Sequence, residues 1–394
     1  MTLNALIAAY GADETGLEAL RPLAGATLLE HQVRRLAAAG VTRTVLLLDD
    51  WPAALSAPLA RLRNDRLTVE PVIGIGDAAD RLAHAPRVLV LATGCLPDQP
   101  AIDLIAAAPV PSLAAIADGP GRDDHERIDA DTRWAGLLLS DGRRIAETAA
   151  MVGEWDPVST LLRRAVQEGA ARVDVETPPV LAVAGELDEA EARLVEGSRD
   201  VPEGWARRWI VAPIAEALLP PLLARSIEPL LPALMGTAAA VLGGIAALAG
   251  WRWMALGLLL LAGPLARIGE RLATVQARLL RPARSFARLR EAGLVLAALG
   301  LGGSLCRVTG QWGWMETAGA AILGVAGTVL VRHLLRRLGG GAPRPWLAHD
   351  QAMPWALLPF ALVGAWGPGL AALAVYAAAS IAWELRVLER LTRG

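Results

Sequence analysis

Short apolar runs and helix-like stretches alternate along the first 200 residues of the chain. Four runs predict buried strands: LNALIAAY (3–10), RTVLLLDD (43–50), LTVEPVI (67–73) and RVLVLAT (87–93). The intervening segments space their apolar residues as helices do: TLLEHQVRRLAAAG (27–40), which stops at a glycine, and the weaker ALSAPLARLRND (54–65) and DAADRLAHA (77–85). Alternation of this kind predicts an α/β domain with βαβ units around a mostly parallel sheet.

Beyond residue 210 the apolar segments become longer. They predict an all-α domain of six transmembrane helices, at 230–250, 251–266, 292–306, 317–333, 354–367 and 368–385. The preceding stretch WIVAPIAEALLPPLLA (209–224) holds one glutamate and three prolines, which favours an amphipathic helix lying on the membrane surface. We therefore expect three parts: a cytoplasmic domain over 1–200, an interfacial helix and linker over 201–229, and a membrane domain over 230–394.

Charge divides the chain at the same place. Residues 1–209 carry 32 acidic residues against 21 arginines, a net charge of −11, whereas residues 210–394 carry 8 against 17, a net charge of +9. This asymmetry predicts a soluble domain joined to a membrane domain whose arginines face the anionic cytoplasmic leaflet. There is no lysine, so no chemical step can use a lysine amine. The 2 cysteines, without a CxxC pair, argue against a disulfide framework or a zinc site.

The arginines also predict an orientation. Segments 267–290 and 332–345 and the tail from 386 hold 14 of them, whereas the opposite loops hold only Arg252 and Arg307, together with five tryptophans: Trp251, Trp253, Trp312, Trp314 and Trp366. Positive charge on the inner side predicts a multi-pass protein of the inner (cytoplasmic) membrane with both termini in the cytoplasm. The first 30 residues lack a basic start followed by an apolar core, so no secretory signal is expected.

The N-terminal stretch LIAAYGADETGLEALRPLAGATLLEHQVRRLAAAGVTRTVLLLDD (6–50) resembles the opening of sugar-phosphate nucleotidyltransferases of the MobA-like NTP transferase fold. Two later stretches, 124–147 and 156–175, are similar to the inositol-phosphate cytidylyltransferase branch. The resemblance implies a Rossmann-like domain with a nucleotide site in the loop after the first strand. It assigns a nucleotide-binding role to Gly11, and Arg21 is a candidate phosphate contact or an ordinary surface arginine.

This first loop departs from the family pattern. Asp13 and Glu14 place negative charge where phosphates would lie, and the position of the family's signature lysine falls near Glu18 or Arg21. Where the family has a metal-binding aspartate, the chain reads LATGCLPDQ (91–99), whose aspartate sits several residues along. Phosphoryl chemistry depends on positioned cations, so we expect little or no CTP-dependent transfer.

The stretch GERLATVQARLLRPARSFARLREAGLVL (269–296) resembles the motif D-x2-D-G-x2-A-R-x8-G-x3-D-x3-D of the CDP-alcohol phosphatidyltransferase family. With Glu270 at the first aspartate, Arg278 is the arginine of the A-R pair and Glu291 is the third aspartate. The second and fourth aspartates become Ala273 and Val295. Two glutamates among seven arginines (267–290) favour ion pairing over a two-metal site; a residual or altered metal site and a chance alignment are the alternatives.

The order of the two resemblances is that of bifunctional enzymes that activate a polyol phosphate with CTP and then pass it to an alcohol. We expect a noncatalytic or weakly active member that binds or scaffolds during synthesis of phospholipid or phosphodiester head groups. The alternatives are an active bifunctional enzyme and a transporter or structural membrane protein. The expected partners are a membrane lipid, a CDP-alcohol or nucleotide, and a second copy or an active paralogue, but not nucleic acid. No cofactor is expected beyond Mg²⁺ in an active enzyme.

Overall fold

The computed structural model describes residues 2–13, 16–120, 122–151, 156–182, 186–197, 204–278, 283–337 and 344–393. The chain forms two compact units. Unit 1 comprises Met1–Gly197 and Val275–Leu279, and unit 2 comprises Ser198–Thr274 and Leu280–Gly394.

A seven-stranded sheet forms the centre of unit 1. Its strands are β1 (Leu3–Ala8), β2 (Val41–Leu48), β3 (Val69–Ile73), β4 (Val88–Leu91), β5 (Ser112–Ala117), β6 (Thr132–Ser140) and β7 (Ala171–Asp174). They lie in the order β7-β5-β6-β4-β1-β2-β3. β6 runs antiparallel to both of its neighbours, and the other pairs are parallel.

Helices cover both faces of this sheet. Those of unit 1 are α1 (Leu28–Ala38), α2 (Ser56–Asn64), α3 (Ile75–Leu82), α4 (Gln99–Ala107), α5 (Gly142–Ala149), α6 (Pro157–Gln167) and α7 (Glu186–Gly197). Successive strand residues point to opposite faces: Ile7 packs with apolar residues of α1, α2 and α4, whereas Leu6 packs with those of α3, α5 and α6. Unit 1 is therefore a three-layer α/β/α domain with two cores.

The four strands and three helices predicted over residues 3–93 are confirmed within a few residues at their ends. Both faces of the sheet are buried, which explains why these strands are continuous apolar runs rather than alternating ones. The pattern of strands and helices confirms the predicted α/β class, and the antiparallel β6 makes the sheet mixed.

Unit 2 is helical. Its helices are α8 (Ala212–Ala224), α9 (Leu230–Leu248), α10 (Arg252–Val275), α11 (Ala283–Thr309), α12 (Gly313–Arg337), α13 (Ala352–Leu362) and α14 (Trp366–Arg393). Among the described residues, five helices are long and apolar enough to cross a membrane: α9, α10, α11, α12 and α14. The helical class of this half is confirmed, and its composition fits a multi-pass membrane domain.

The predicted fifth span, 354–367, needs correction. This part of the chain forms the 11-residue helix α13, followed by a break before α14 begins at Trp366. At 1.5 Å per residue α13 reaches only about 16 Å, well short of the ~30 Å hydrocarbon core of a bilayer. The sequence pattern missed this because the apolar residues continue across the break, with Gly364 in a left-handed conformation.

Glycine allows α9 and α11 of unit 2 to approach each other closely. A Cβ added to Gly293 of α11 would lie 2.4 Å from the carbonyl oxygen of Ala240 in α9, and one on Gly300 would lie 2.5 Å from the carbonyl carbon of Ala247. Close backbone approach between small residues is the usual way in which membrane helices gain packing energy. α8, predicted as an interfacial helix, buries Leu219 and Leu223 and exposes Leu218; its position at a membrane surface stays a prediction.

Candidate functional site

The loops after β1 and β4 meet at one edge of the sheet in unit 1. Because these two strands are parallel neighbours, their carboxyl ends lie side by side. Gly11 follows β1 and Thr93 follows β4, and a Cβ added to Gly11 would stand 2.5 Å from the Thr93 Cγ2. Only glycine fits this approach. Ligands of open α/β sheets bind beyond the carboxyl ends of the strands, so this edge is the candidate site.

The carboxylate of Glu18 covers this edge. Its Oε2 lies 3.0 Å from where a Cβ of Gly11 would stand and 2.5 Å from where one of Gly94 would stand. The backbone N–H of Glu18 donates to the Gly11 carbonyl at 2.9 Å, which fixes the short helical turn that carries this side chain. A negative charge therefore sits directly over the two glycines that open the edge.

A tyrosine–aspartate pair flanks the same edge. The Tyr10 hydroxyl donates to Oδ1 of Asp156, and Oδ2 of Asp156 accepts from the Ser159 backbone N–H at 2.9 Å as the N-cap of α6. Desolvation, and then the negative Asp156, raise the pKa of Tyr10. Desolvation also favours the neutral form of Asp156, but hydrogen bonds from Ser159 and Tyr10 outweigh it and lower the pKa of this carboxyl. The pair thus holds a proton on the phenol and a negative charge on the carboxylate.

Arg21, the predicted phosphate contact, lies near Gly94 at this end of the sheet, because it bonds to a residue that pairs with the loop after β4. Its Nη1 donates to the carbonyl oxygen of Ala182. Ala182 in turn donates its N–H to the Gly94 carbonyl at 2.7 Å, because residues 180–181 pair with residues 95–96 as a small antiparallel ladder. The structure therefore brings Gly11 and Arg21 to one edge, and it adds Glu18 between them.

Three other acidic residues were considered from the sequence: Asp13 and Glu14 in the loop after β1, and Asp98 in the loop after β4. Glu14 and the side chain of Asp13 lie outside the described residues. Asp98, which follows the expected metal position, caps α4 by accepting from the Ala101 N–H at 2.9 Å. Asp98 therefore has a structural role at the start of a helix.

Glu270, the first motif position in unit 2, is surrounded by arginines. Its carboxylate lies 3.1 Å from Arg207 Nη2, 3.3 Å from Arg290 Nη2 and 3.8 Å from Arg267 Nη1. A carboxylate so paired has little remaining charge to offer a divalent ion. Its geometry fits ion pairing rather than metal ligation.

The motif arginine lies elsewhere, in unit 1. Arg278 belongs to the segment Val275–Leu279, and its Nε and Nη2 donate to Oδ1 of Asp65 at 3.2 and 2.9 Å. The neighbouring Gln276 offers its carbonyl oxygen to Arg34 Nη1 at 3.1 Å. The A-R pair of the motif is thus part of an ion-paired cluster of the α/β unit.

Glu291 and Val295, the third and fourth motif positions, line a cavity of about 470 Å³ within unit 2. Its walls are mostly apolar, and its polar lining residues include Arg252, His349 and Asp350. No salt bridge to Glu291 forms among the residues that the structure describes. This glutamate therefore differs from Glu270: it faces a cavity instead of a cluster of arginines.

The described part of the chain contains no group of three or more His, Cys, Asp or Glu residues arranged to hold a metal ion. The two-metal site of the phosphatidyltransferase motif does not fit the residues present, since Glu270 is paired with arginines and alanine and valine replace two ligands. In unit 1, Glu18 and Asp156 are two carboxylates at one strand edge. Mg²⁺ is often held by one or two carboxylates together with phosphates, so each of these carboxylates is a candidate ligand for a nucleotide-bound ion.

Sequence reasoning did not assign a role to Tyr10, Asp156 or the His349–Asp350 pair. Asp156 carried one local signal, an aspartate directly before a proline and a helical pattern, which is typical of an N-cap. Tyr10 becomes recognisable only when distant segments meet, because its partner Asp156 lies 146 residues away. The role of His349 and Asp350 becomes recognisable only when other helices complete the cavity around them.

No family model matches the chain, and no curated protein matches it. Solved structures similar to it include a putative glucose-1-phosphate thymidylyltransferase from Bacillus anthracis, at 13% identity and a TM-score of 0.39 over 52% of this chain and 98% of that one. The inositol-1-phosphate CTP transferase from T. maritima shows 14% identity and a TM-score of 0.39 over 50% and 97%. CMP:2-keto-3-deoxy-manno-octonic acid synthetase complexed with CTP shows 13% and 0.38 over 50% and 100%.

Proposed function

We propose that this chain is a membrane-bound, nucleotidyltransferase-like protein that binds a nucleotide or nucleotide-alcohol at the edge formed by Gly11, Glu18 and Gly94. It acts as a noncatalytic or weakly active partner in the synthesis of phospholipid or phosphodiester head groups. The resemblance of residues 6–50 to nucleotidyltransferases and the position of this edge at the strand ends support the ligand class.

The position of Glu18 carries the proposal. In this class of chemistry cations must neutralise a polyphosphate as charge moves between its oxygens. Here a carboxylate lies over the glycines, and the guanidinium of Arg21 donates to a backbone carbonyl. Repulsion between Glu18 and a bound triphosphate disfavours the geometry of transfer while leaving room for a less charged nucleotide-alcohol.

In this proposal unit 2 is also a binding domain, and it holds the head group or lipid partner. Its motif positions are occupied by an arginine-paired Glu270 and by Glu291 at an apolar cavity. This arrangement supports binding, whereas transfer would require the metal ligands that Ala273 and Val295 replace.

A second candidate is an active enzyme that activates a sugar or polyol phosphate with CTP and transfers it to a membrane alcohol. It is favoured by one observation, the presence of Glu18 and Asp156 at the same strand edge. In that case Mg²⁺ would neutralise the phosphates and both carboxylates would hold the ion.

The variant Glu18→Gln separates the two candidates. It should strengthen CTP binding in a noncatalytic protein, whereas it should abolish Mg²⁺-dependent transfer in an active enzyme. Full-length protein in nanodiscs is titrated with CTP and CDP by calorimetry, with and without Mg²⁺, and incubated with labelled CTP and polyol phosphates. We expect binding without appreciable pyrophosphate release, and a roughly tenfold tighter CTP affinity in Glu18→Gln, since one like charge near phosphate costs about 1.4 kcal/mol.

The matched control is Asp80→Asn, which removes one negative charge from an exposed position of α3. It should leave the CTP affinity within about twofold of the wild type because exposed charges at a distance are screened. Robust Mg²⁺-dependent pyrophosphate release that Glu18→Gln abolishes would establish the active enzyme instead.

A further inference from the structure

The cavity of unit 2 has two unlike ends. Arg252 stands at one end, where its Nε donates to the Ser304 hydroxyl at 3.1 Å. Glu291, His349 and Asp350 stand at the other. Glu291 and Leu301, both in the lining, are ten residues apart on α11, or about 15 Å along its axis. That length is half of the ~30 Å hydrocarbon core, which suits a single apolar chain from one leaflet.

The wall between these ends is apolar and is built by six helices, with Ala247 supplied by α9. α10, α11, α12, α13 and α14 contribute alanine, leucine, valine and isoleucine side chains, and the cavity measures about 470 Å³. Sites for small amphiphiles and cofactors have this size and this composition, with a few polar groups that fix orientation. The apolar wall therefore selects for a hydrocarbon chain, and the polar end selects for its head group.

The polar end is held in place from several directions. His349 and Asp350 belong to the irregular segment between α12 and α13, and the His349 Nδ1 contacts Oδ1 of Asp350. Backbone atoms of this segment bond to side chains of the neighbouring helices: Tyr376 hydroxyl to Trp346 O at 2.8 Å, Ala348 N to Ser380 Oγ at 2.9 Å, and Arg332 Nη2 to Ala348 O at 3.4 Å. Irregular backbone within a membrane domain is stable only with such partners, and a site so fixed is preorganised for a ligand.

The charges around this end indicate the head group. Asp350 and Glu291 are acidic, and Arg290 lines an adjoining small pocket together with Asp350. Arg207 also acts electrostatically on Asp350. The two acidic groups would repel a carboxylate head, and the two guanidinium groups would repel an ammonium head. A head group without charge avoids both repulsions. A hydroxyl can donate to a carboxylate and accept from an imidazole N–H.

We propose that this cavity binds a long-chain aliphatic alcohol, with the chain among α10 to α14 and the hydroxyl at Glu291, His349 and Asp350. The site lies entirely within unit 2. The proposal therefore does not depend on nucleotide binding by unit 1, and failure of either idea leaves the other standing.

The test uses full-length protein in phosphatidylcholine nanodiscs and hexadecanol that carries a photoreactive diazirine at mid-chain. After irradiation, adducts are mapped by mass spectrometry. We expect them on the cavity-facing positions of α11 and α12, and we expect unlabelled hexadecanol to compete at least tenfold better than hexadecane, hexadecanoate or hexadecylamine. Adducts spread evenly over the outer faces of the helices would overturn the site, and better competition by the acid or the amine would overturn the head group.

Ala326→Trp fills the cavity and should reduce adduct yield at least tenfold, with Val329→Trp as a second filling variant should the first not fold. Leu323→Trp is the matched control, because Leu323 lies on the same helix, is 73% exposed and is outside the lining. It should keep the wild-type yield. His349→Phe should keep the adducts and lose the preference for hexadecanol over hexadecane. Equal yields in Ala326→Trp and Leu323→Trp, or an unchanged preference in His349→Phe, contradict the proposal.

Discussion

Glu30 takes part in two local structures at once. Its Oε2 accepts from the Thr27 N–H at 3.0 Å, while the Thr27 hydroxyl oxygen accepts from the Glu30 N–H at 3.3 Å, which makes a capping box at the start of α1. The same carboxylate pairs with Arg34 at 3.0 Å and with Arg61 at 2.7 Å. Because Glu30 is fully buried, its charge depends on these partners for stability.

Glu30→Gln should destabilise unit 1 by roughly 2–3 kcal/mol at pH 7, since a buried arginine loses its carboxylate partner. Burial raises the pKa of Glu30, but bonds from Arg61 and Arg34 outweigh this and lower it below the ordinary 4.5. The stabilisation is thus present above about pH 4.5 and is lost as pH falls through the lower folded value. Urea unfolding followed by hydrogen exchange in residues 41–48 measures the difference, and it should shrink below pH 4.5.

The control for this variant is Glu189→Gln, which removes an exposed i,i+4 partner of Arg193. Surface pairs of this kind contribute under about 1 kcal/mol. A Glu30→Gln effect no larger than that of Glu189→Gln would show that the buried network adds nothing to stability.

His31 adds a second pH dependence in a different window. It is fully buried, with Nε2 at 3.0 Å from the Leu23 carbonyl, and burial lowers its pKa from 6.5 to about 4. The unfolded chain therefore binds a proton between these values and the folded chain does not. Stability should fall by about 3 kcal/mol as pH drops from 6.5 to 4.

The same exchange experiment, repeated at half-unit intervals of pH, gives this slope. His31→Gln should flatten it, whereas His84→Gln, at an exposed position of the same unit, should not. A slope that persists in His31→Gln would assign it to other groups.

At the scale of elements, two glycines of α11 make a matched pair. A Cβ on Gly300 would stand 2.5 Å from the α9 backbone, whereas a Cβ on Gly303 would meet only the Met315 sulfur, at 3.8 Å. Gly300→Ala should therefore destabilise unit 2 by about 1–3 kcal/mol through overpacking. Gly303→Ala should be neutral or stabilising by up to about 1 kcal/mol, because alanine has the higher helix propensity.

Thermal unfolding of both variants in one detergent, followed by tryptophan fluorescence, compares them directly. Equal midpoints would mean that α9 and α11 do not approach each other as closely as described.

The elements also show what a sequence can and cannot predict. β1, β2, β3 and β4 were predictable because each is a buried apolar run with a helix on either side, which is a local signal. The antiparallel direction of β6 was not, because strand direction depends on pairing with β4, whose partner residues lie about 50 positions earlier. The candidate site divides in the same way: Gly11 follows from its place after β1, whereas the position of Glu18 depends on Gly94 in a distant loop.

At the scale of the whole molecule, the number of membrane crossings is the main structural question. The arginine distribution predicts both termini on the inner side, which requires an even number of crossings. The described residues form five long apolar helices and the short α13. Because α13 is too short to cross alone, this orientation requires the described residues 344–351 before it to cover the remaining depth of a sixth crossing.

Single cysteines in a background without Cys95 and Cys306 test this with a membrane-impermeant maleimide. Ser226→Cys and Leu391→Cys should be labelled only from the inner side, and Gln311→Cys only from the outer side. Labelling of Leu391→Cys from the same side as Gln311→Cys would establish an odd number of crossings and refute the predicted orientation.

The five residues from Val275 to Leu279 belong to unit 1, although 77 residues of unit 2, Ser198–Thr274, separate them from the rest of it. A fragment that ends at residue 200 would lack the Gln276 carbonyl that accepts from the buried Arg34, and the Arg278 guanidinium that neutralises Asp65. The α/β unit is thus built from two separate segments of the sequence. A ribosome must synthesise α9 and α10 before the last piece of the α/β unit emerges, so this unit cannot reach its final form until both of these long apolar helices have been made.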